Sequence, residues 1–509
     1  MLANRPARFT LKTALIASLG GFLMGFDASV ISGVNPFIET EFALTRLQLG
    51  WAVASLTLAA TLAMGVAGPL SDRYGRRRIL QGAAILFLLS AVWSALAPDY
   101  PSLVAARMLG GLGVGAALII APVYIAELAP AAARGRLVSL NQLNIVIGIS
   151  AAFLANYLIL QVAAVQSWRW MLGVEAIPAL LYFGSLLRVP ESPRWLLMRG
   201  QEERALAVMS QVSGPQAAQA ELASVRQNLA AATAGRLQAQ LRQLLQPRLR
   251  RALFIGLGVA LVQQLTGINA IFFYAPTIFA QAGAGLDAAF LQAVAVGLTN
   301  LLFTLLAIGL IDRLGRRFLL NLGLAGAVLS LGLLAWNFSA ANYMLDMQNL
   351  TGIPETLQTA LLPLHGELFA DDRAFRAALF AVAGAEPVAA YETTLISQSI
   401  QINAPLTLFA ILGFVASFAI SVGPVMWVLL AEIFSNAVRG VAISIAGLVN
   451  SAASFLVQLI FPWQLAALGN ANTFLLYGLF SLAGLLILSR TLPETKGKSL
   501  EEIEVLWAK

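Results

Sequence analysis

The stretch Gly68–Arg78, GPLSDRYGRRR, contains a charged motif that returns as DRLGRRF at Asp312–Phe318. Asp72 and Asp312 are 240 residues apart (312 − 72), and each copy lies between two long apolar stretches. A charge near the centre of a bilayer costs about 2.5–3.5 kcal/mol on insertion scales, so both copies should lie in aqueous loops. The repeat therefore predicts two copies of one membrane-embedded unit.

The composition is typical of an integral membrane protein. Of the 509 residues, 59% are hydrophobic and 11% are charged, and the mean hydropathy is +0.79. A soluble chain has about 25% charged residues, so this one has too little polar surface for a soluble globule. With no cysteine there is no disulfide or thiol chemistry, and the single histidine, His365, cannot build a multi-histidine metal site.

Twelve apolar runs are long enough to cross a bilayer as helices, which takes about 20 residues each. The predicted spans are 11–33, 50–70, 79–97, 102–126, 137–161 and 169–187, then 252–280, 288–311, 317–338, 404–431, 438–462 and 472–490. Runs of this length predict an all-α integral membrane fold with two six-helix domains, and not a barrel of short alternating strands.

The basic residues are concentrated in alternate loops. Arginines cluster at 73–78, 134–136, 188–251 and 313–317, whereas the intervening loops hold several acids. The positive-inside rule therefore predicts that both termini and the central loop are cytoplasmic. The net charge of +7 then reflects membrane orientation, and we expect no binding of nucleic acid. The first apolar run lacks a small-residue cleavage pattern, so we interpret it as a retained helix.

A second pair of matching motifs locates an insertion. Glu127 and Glu432 are 305 residues apart, which is 65 more than the offset of the first pair. The extra length falls at 339–403, where we expect an extracytoplasmic insertion, as a partly helical cap or a mobile loop in preference to a substrate gate. The predicted domains are 1–187 (N-terminal six-helix domain), 188–250 (cytoplasmic linker with short amphipathic helices), 251–490 (C-terminal six-helix domain) and 491–509 (cytoplasmic tail).

Seven motifs in order resemble those of the sugar porter family of the major facilitator superfamily, over essentially the whole chain. They are GPLSDRYGRRR, RMLGGLGVG, IAELAPAAARGRL, PESPRW, QQLTGIN, AEIFSNAVRG and PETKG. DRxGRR alone indicates only the superfamily, whereas PESPR with QQxxGIN and PETKG is specific to sugar porters. The resemblance, which extends to bacterial xylose and hexose–proton symporters, implies the major facilitator fold of twelve transmembrane helices in two pseudo-symmetric domains, with alternating access to a central site.

The repeated charges are expected to form a cytoplasmic gate that closes only in the outward-open state. The gate residues of the first copy are Asp72, Arg73, Arg76, Arg77, Glu127 and Arg134. Those of the second copy are Asp312, Arg313, Arg316, Arg317, Glu432 and Arg439. The alternative is that the charges only anchor loops on the cytoplasmic side, which we prefer for Arg78, although anchoring does not require the acids.

Amide side chains in the seventh span are candidates for sugar binding. Gln263, Gln264 and Asn269 carry the donors and acceptors that hydroxyl groups need. A continuous helix would separate them, so we expect Gly267 and Pro276 to bend or unwind the span. The alternative is that buried amides only hold helices together, at about 0.6 kcal/mol each. The resemblance assigns all three amides to sugar binding and implies these further pocket residues: Gln142, Phe273, Asn300, Trp427 and Asn450.

Asp27 is a candidate for proton coupling. It lies in the first span, where an unpaired carboxylate is expensive and usually functional. Arg107, in the fourth span, is its predicted partner. Burial and an arginine act oppositely on a carboxyl group, so the pair can change protonation as it opens and closes. Proton symporters of the family have Asp at this position and uniporters often have Asn; the alternative is a permanently ionised pair that only stabilises the domain.

The predicted function is proton-coupled uptake of a hexose or pentose across a bacterial inner membrane or a plasma membrane. A sugar uniporter is the nearest alternative. A transporter-like nutrient sensor is less favoured, because only residues 491–509 follow the last span. The sequence has no recognisable nucleophile–base pair that would indicate an enzyme. It also has no Walker motif that would indicate ATP-driven pumping. The expected partners are the sugar and membrane lipid, and the expected state is a monomer. We expect the proton as the coupling ion and no cofactor.

Overall fold

The computed structural model describes residues 5–130, 133–163, 165–231, 237–348, 350–389, 391–434, 438–496 and 502. The first half contains α1 (Arg5–Glu41), α2 (Arg46–Tyr74), α3 (Arg76–Leu96), α4 (Tyr100–Leu128), α5 (Arg134–Val162), α6 (Ser167–Gly173) and α7 (Ala176–Leu186). The linker contains α8 (Pro193–Met198), α9 (Glu202–Ser213), α10 (Pro215–Ala231) and α11 (Leu237–Leu244).

The second half begins with α12 (Pro247–Leu265), α13 (Ile268–Gln281), α14 (Leu286–Leu314) and α15 (Arg316–Ser339). The insertion follows with β1 (Asn342–Met344), α16 (Glu355–Leu361), a 3₁₀ turn (Leu362–Leu364), β2 (Leu368–Phe369), α17 (Asp372–Ala383), α18 (Ala385–Ala389), α19 (Glu392–Ser399) and β3 (Ile400–Gln401). The last helices are α20 (Ala404–Ile420), α21 (Val422–Ile433) and α22 (Arg439–Thr491).

Helices occupy all twelve predicted spans. Among the described residues, 10 stretches are long and apolar enough to cross a membrane. Nine of them match one predicted span each, and α22 covers the last two, with the non-helical residue Gly469 (φ 79°) between them. The span predicted at 169–187 is divided between α6 and α7, which are each too short to cross by themselves. The all-α membrane prediction is therefore confirmed.

The chain divides into two compact units. The first comprises residues 1–30, 55–152 and 169–236, and the second comprises 31–54, 153–168 and 237–509. Each unit has its own buried apolar core, with Phe87, Tyr124 and Tyr182 in the first and Leu429 and Phe434 in the second. The end of α1 and the beginning of α2 thus belong to the second unit.

The insertion is a folded element with a third apolar core. Its sheet has the order β2–β1–β3 with antiparallel pairing, and Tyr343 of β1 lies opposite Phe369 and Ile400. The ring of Tyr343 stacks on that of Phe375 in α17, with 5.6 Å between the ring centroids. Leu379 and Leu395 are completely buried beside them. Helices were expected here, but the short strands were not predicted.

Asp372 of the insertion contacts the joint within α22. Its carboxylate accepts a hydrogen bond from the Asn470 backbone N–H at 3.1 Å. A Cβ added at Gly469 would lie 2.6 Å from the same carboxylate, so only glycine fits this left-handed position. Burial raises the pKa of Asp372, although Arg376 and the Asn470 N–H act in the opposite direction. The insertion therefore fixes the one-residue turn between the last two spans.

Candidate functional site

Asp27 and Arg107 form a buried ion pair, as the sequence predicted. Arg107 Nη1 contacts Asp27 Oδ1 and also donates to the Asp27 backbone oxygen at 3.0 Å. Both side chains are only 1% exposed. Asp27 Oδ2 and Arg107 Nε have no hydrogen-bond partner among the described residues. A buried pair with free polar atoms has the capacity to rearrange or to bind a proton.

Glu175 is a third ionisable member of this cluster, and the sequence analysis missed it. It lies between α6 and α7, is 2% exposed, and interacts electrostatically with both Asp27 and Arg107. Its Oε1 has no hydrogen-bond partner within the described part of the chain. The signal was available, because Glu175 is a carboxylate inside the predicted span 169–187. The argument applied to Asp27 applies to it equally.

Four of the predicted sugar-binding amides form one hydrogen-bonded cluster in the second unit, which we call the amide cluster: Gln263, Gln264, Asn269 and Asn450. Gln264 is its centre. Its Nε2 donates to Asn450 Oδ1 at 3.1 Å and to Gln263 Oε1 at 3.3 Å. Its Oε1 accepts from Asn269 Nδ2 at 2.7 Å. Asn450 also donates to Gln263 Oε1 at 2.7 Å, which closes the ring of amides.

A break in the seventh span brings the amides together. Gly267 adopts φ +86° between α12 and α13, and a Cβ there would lie 2.8 Å from the ring of Tyr477. Tyr274, two residues before Pro276, has a non-helical φ of −130°. The predicted bends at Gly267 and Pro276 are both observed. Since the break turns Asn269 back towards Gln264, residues five apart in sequence can hydrogen-bond directly.

Ser454 and Gln458 extend the amide cluster and were not predicted. Ser454 Oγ accepts from Asn269 Nδ2 at 2.6 Å and from Gln458 Nε2 at 2.7 Å. The backbone oxygen of Gln458 accepts from the Tyr274 hydroxyl at 2.9 Å. Asn450, Ser454 and Gln458 follow one another at intervals of four on α22 and so lie on one helix face. Polar residues at every fourth position of an otherwise apolar helix were the sequence signal that could have identified Ser454 and Gln458.

The other predicted pocket residues differ in exposure and lie outside this hydrogen-bonded ring. Phe273 and Asn300 are buried in the second unit, and the Phe273 backbone oxygen accepts from Asn35 Nδ2 at 2.8 Å. Trp427 is 41% exposed, so its ring has a free face. Gln142 is exposed and belongs to the first unit. The pocket roles of these four residues stay predictions.

In the first copy of the charged motif, Arg76 is the central residue. Its guanidinium makes two bonds of 3.0 Å to the carboxylate of Glu127 and lies 2.9 Å from Asp72. Arg77 donates to the Leu186 backbone oxygen at 2.9 Å. Arg134 donates to the backbone of Ala126 and is not the partner of Glu127. The side chain of Arg73 lies over the ring of Tyr74.

The second copy repeats this arrangement. Arg316 contacts Glu432 at 2.9 Å, and Arg439 donates to the Phe434 backbone oxygen at 3.1 Å. Arg317 donates to the backbone oxygen of Ser489, as Arg77 does to that of Leu186. The backbone oxygen of Arg313 accepts from Lys496, and the side chain of Asp312 lies outside the described residues. In both copies the acid pairs with the first arginine after the glycine.

Glutamates from PESPRW and PETKG cap the helices that follow the two charged motifs. Glu191 accepts from the backbone N–H groups of Arg76 and Arg77 at 3.0 and 3.1 Å. Glu494 accepts from those of Arg316 and Arg317 at the same distances. A carboxylate here binds free N–H groups and the positive end of the helix dipole. The motifs distant in sequence are therefore parts of one structure in each copy.

Comparison with known proteins gives the family of the chain. The family model described as "Sugar (and other) transporter" matches residues 13–350 and 374–507. The chain belongs to the sugar transporter family. Its relatives include the arabinose-proton symporter of Bacillus subtilis (strain 168), 34% identical over 506 residues, covering 98% of this chain and 96% of the relative. The D-xylose-proton symporter of Escherichia coli (strain K12) is 33% identical over 545 residues, covering 98% and 96%.

A solved structure agrees with this assignment. The inward-open xylose transporter of Escherichia coli superposes with a TM-score of 0.75 at 32% identity, covering 97% of this chain and 99% of that one. The resemblance to sugar porters of the major facilitator superfamily is thereby confirmed, together with the fold that it implied. The chain is a membrane transporter by family and not an enzyme.

The glutamate caps give a prediction for this sugar transporter family member. Burial opposes ionisation of Glu494, but the N–H groups of Lys496, Arg316, Arg317 and Thr495 outweigh it and lower the pKa of Glu494 below its usual 4.5. Glu494→Ala should destabilise the protein by about 1 kcal/mol at pH 7, as loss of a helix cap does. Because the folded pKa is lowered, this difference should be present above pH 4.5 and disappear as the pH falls through the lowered value.

Thermal unfolding of the purified protein between pH 7 and pH 3 measures this difference. Glu203→Ala is the matched control, because Glu203 is an exposed glutamate in the first turn of α9. An equal loss of stability at pH 7 in both variants, or a difference that grows on acidification, would contradict the capping role.

Proposed function

We propose that this protein is a secondary active transporter that couples the movement of a monosaccharide, a hexose or a pentose, to that of a proton by alternating access. The single observation that carries the proposal is the buried Asp27–Arg107–Glu175 cluster in a chain that also has the amide cluster. Uniport needs only a sugar site, whereas a buried ionisable cluster adds a proton site. The proton-symporter names of the relatives support the same coupling.

The amide cluster suits a neutral, hydroxyl-rich solute. Its members have both donors and acceptors, and these groups hydrogen-bond to one another. A sugar hydroxyl can accept from one amide and donate to the next, so binding replaces amide–amide bonds without leaving a polar group unpaired. The exposed face of Trp427 offers an apolar surface for the C–H side of a sugar ring. Gln142, Phe273 and Asn300 complete the proposed binding residues.

The charge count of the buried cluster supports proton coupling. Asp27 and Glu175 carry two carboxyl groups for one guanidinium on Arg107. If both carboxyls are ionised, the cluster has one uncompensated negative charge in a buried site, which is costly. One bound proton makes it neutral. Entry and release of that proton, as Arg107 changes partner, would link protonation to the conformational cycle.

The two charged motifs are proposed as the cytoplasmic gate. In each copy the arginine–glutamate pair ties a glycine turn to a neighbouring helix, through Arg76–Glu127 and Arg316–Glu432. Such pairs can hold helix ends in one state and release them in another.

We place the protein in a bacterial inner membrane or a plasma membrane with both termini and the motifs cytoplasmic, because arginine is concentrated in those loops. It acts as a monomer in contact with membrane lipid.

Sugar-induced proton movement tests the proposal. Purified protein in proteoliposomes should bind at least one sugar of a panel of xylose, arabinose, glucose and galactose. Adding that sugar without a preset pH gradient should alkalinise the external medium at the rate of sugar entry. Sugar entry with no alkalinisation would identify a uniporter and overturn the coupling. No transport of any monosaccharide would overturn the substrate class.

A further inference from the structure

The insertion and the segment 31–54 are joined by an unbroken chain of ionic contacts, which we call the charge chain. It contains five residues that alternate in sign: Glu39, Arg46, Glu392, Arg376 and Asp372. Arg46 contacts the carboxylates of both Glu39 and Glu392. Glu392 lies 2.6 Å from Arg376, and Arg376 lies 3.8 Å from Asp372. All five belong to the second unit.

The charge chain is largely buried. The side chains of Glu392, Arg376 and Asp372 are 5%, 6% and 9% exposed, and that of Glu39 is 12% exposed. Ion pairs on an open surface contribute little to stability because water and salt screen them. At this level of burial the pairing matters more, since a removed partner leaves an uncompensated charge. Breaking the charge chain should therefore cost more free energy than breaking an exposed pair such as Arg226–Glu202.

The Arg46–Glu392 contact is a natural breaking point. If it separates, Arg46 keeps Glu39 and Glu392 keeps Arg376. The pair Arg46–Glu39 then stays intact on one side, and on the other Arg376 stays between Glu392 and Asp372, so every buried ion keeps an oppositely charged partner. A break at Glu392–Arg376 would leave Arg376 with Asp372, which is 3.8 Å away. The contact that joins the insertion to 31–54 is thus the one that can open and re-form at low cost.

We propose that the insertion 339–403 is a reversible latch that holds the ends of α1 and α2 through Arg46 and Glu392. The other end of the latch is fixed, because Asp372 binds the turn at Gly469 and Asn470 in α22. The insertion thus links α22 to the segment 31–54 of the first half of the sequence. This role rests on the proposed alternating access, in which that segment must move.

Cysteine labelling tests the latch, and the cysteine-free sequence makes every introduced thiol unique. The reporter is Ala52→Cys, at a fully buried position of α2. In purified protein in detergent, Arg46→Gln and Glu392→Gln should each increase its maleimide labelling rate by at least about fivefold, because both variants remove the Arg46–Glu392 contact and the loss of one partly buried ion pair gives a bias of that size. The measurement needs no sugar, so a failure to transport monosaccharides would contradict the proposed function without changing this result.

Two controls separate a latch from a structural role. Glu202→Gln removes an exposed glutamate–arginine pair and should leave labelling at position 52 unchanged. A second reporter, Ala341→Cys, lies in the core of the insertion and should stay unreactive in all variants. The latch is overturned if labelling at 52 does not accelerate in Arg46→Gln and Glu392→Gln. It is equally overturned if position 341 becomes as reactive as position 52, since the charges then only hold the insertion together.

Discussion

Replacing Asp27 with asparagine is expected to abolish proton-driven sugar accumulation while sugar exchange continues. Asparagine has nearly the same shape, and Arg107 keeps its 3.0 Å bond to the backbone oxygen of residue 27. The amide cannot bind and release a proton, so the cycle loses its coupling ion. A gradient of one pH unit can support about tenfold accumulation, because it corresponds to about 1.4 kcal/mol. The variant should reach no more than equal concentrations on both sides.

Proteoliposome assays measure both properties. Accumulation is followed under an imposed pH gradient, and exchange is followed as counterflow of labelled sugar without a gradient. Asp287→Asn is the control, because Asp287 is an exposed aspartate at the beginning of α14. Accumulation above equilibrium by Asp27→Asn would exclude Asp27 as the coupling residue. Loss of counterflow in a folded variant would show that Asp27 is needed for the sugar step as well.

Replacing Gln264 with alanine is expected to weaken sugar binding by ten- to a hundredfold. Gln264 makes three hydrogen bonds within the amide cluster, to Gln263, Asn269 and Asn450. Truncation removes one group that can contact hydroxyls and leaves its neighbours misplaced. An unsatisfied buried polar group costs about 1–3 kcal/mol, which corresponds to that range in affinity. Isothermal titration with the transported sugar measures the change in Kd.

Gln464→Ala is the matched control for this measurement. Gln464 is also a buried glutamine of the second unit, but its side chain accepts from the Tyr477 hydroxyl at 2.6 Å and belongs to another set of contacts. Both variants should lose similar thermal stability, and only Gln264→Ala should lose affinity. Equal affinities in the two variants would remove the amide cluster from the sugar site.

Much of the fold could be predicted because its determinants are local. The lengths of the apolar runs predicted the membrane-spanning helices, and the difference between the two repeat offsets located the insertion. The break at Gly267 was foreseeable, since the amides of QQLTGIN cannot meet on a straight helix. The division of the span 169–187 into α6 and α7 was not predicted, although Gly173 and Pro178 lie on either side of the break at Glu175. The strands of the insertion are two or three residues long, too short to give an alternating pattern.

The pairing of charges was only partly predictable. Asp27 and Arg107 stand out because each is a charge inside an apolar run. Arg134 and Arg439 were grouped with the neighbouring acids, yet they bind backbone oxygens, and Arg76 and Arg316 take the acids instead. The sequence groups these charges without indicating which arginine binds each glutamate, because the fold brings the motif loops onto the glutamates. The contact between Arg46 and Glu392 joins residues 346 positions apart and has no local signal.

The single-residue joint at Gly469 restricts where this transporter can be engineered. Asn470 begins the next helical segment at once, and its N–H is bound by Asp372. An epitope, fluorescent protein or antibody site inserted at 469 would have to displace both the glycine turn and the insertion docked on it. In the turn between α13 and α14, Gly283 also lies against Ile400 of the insertion, whereas Gly285, directly before α14, has open space around it and is the better site for a fusion.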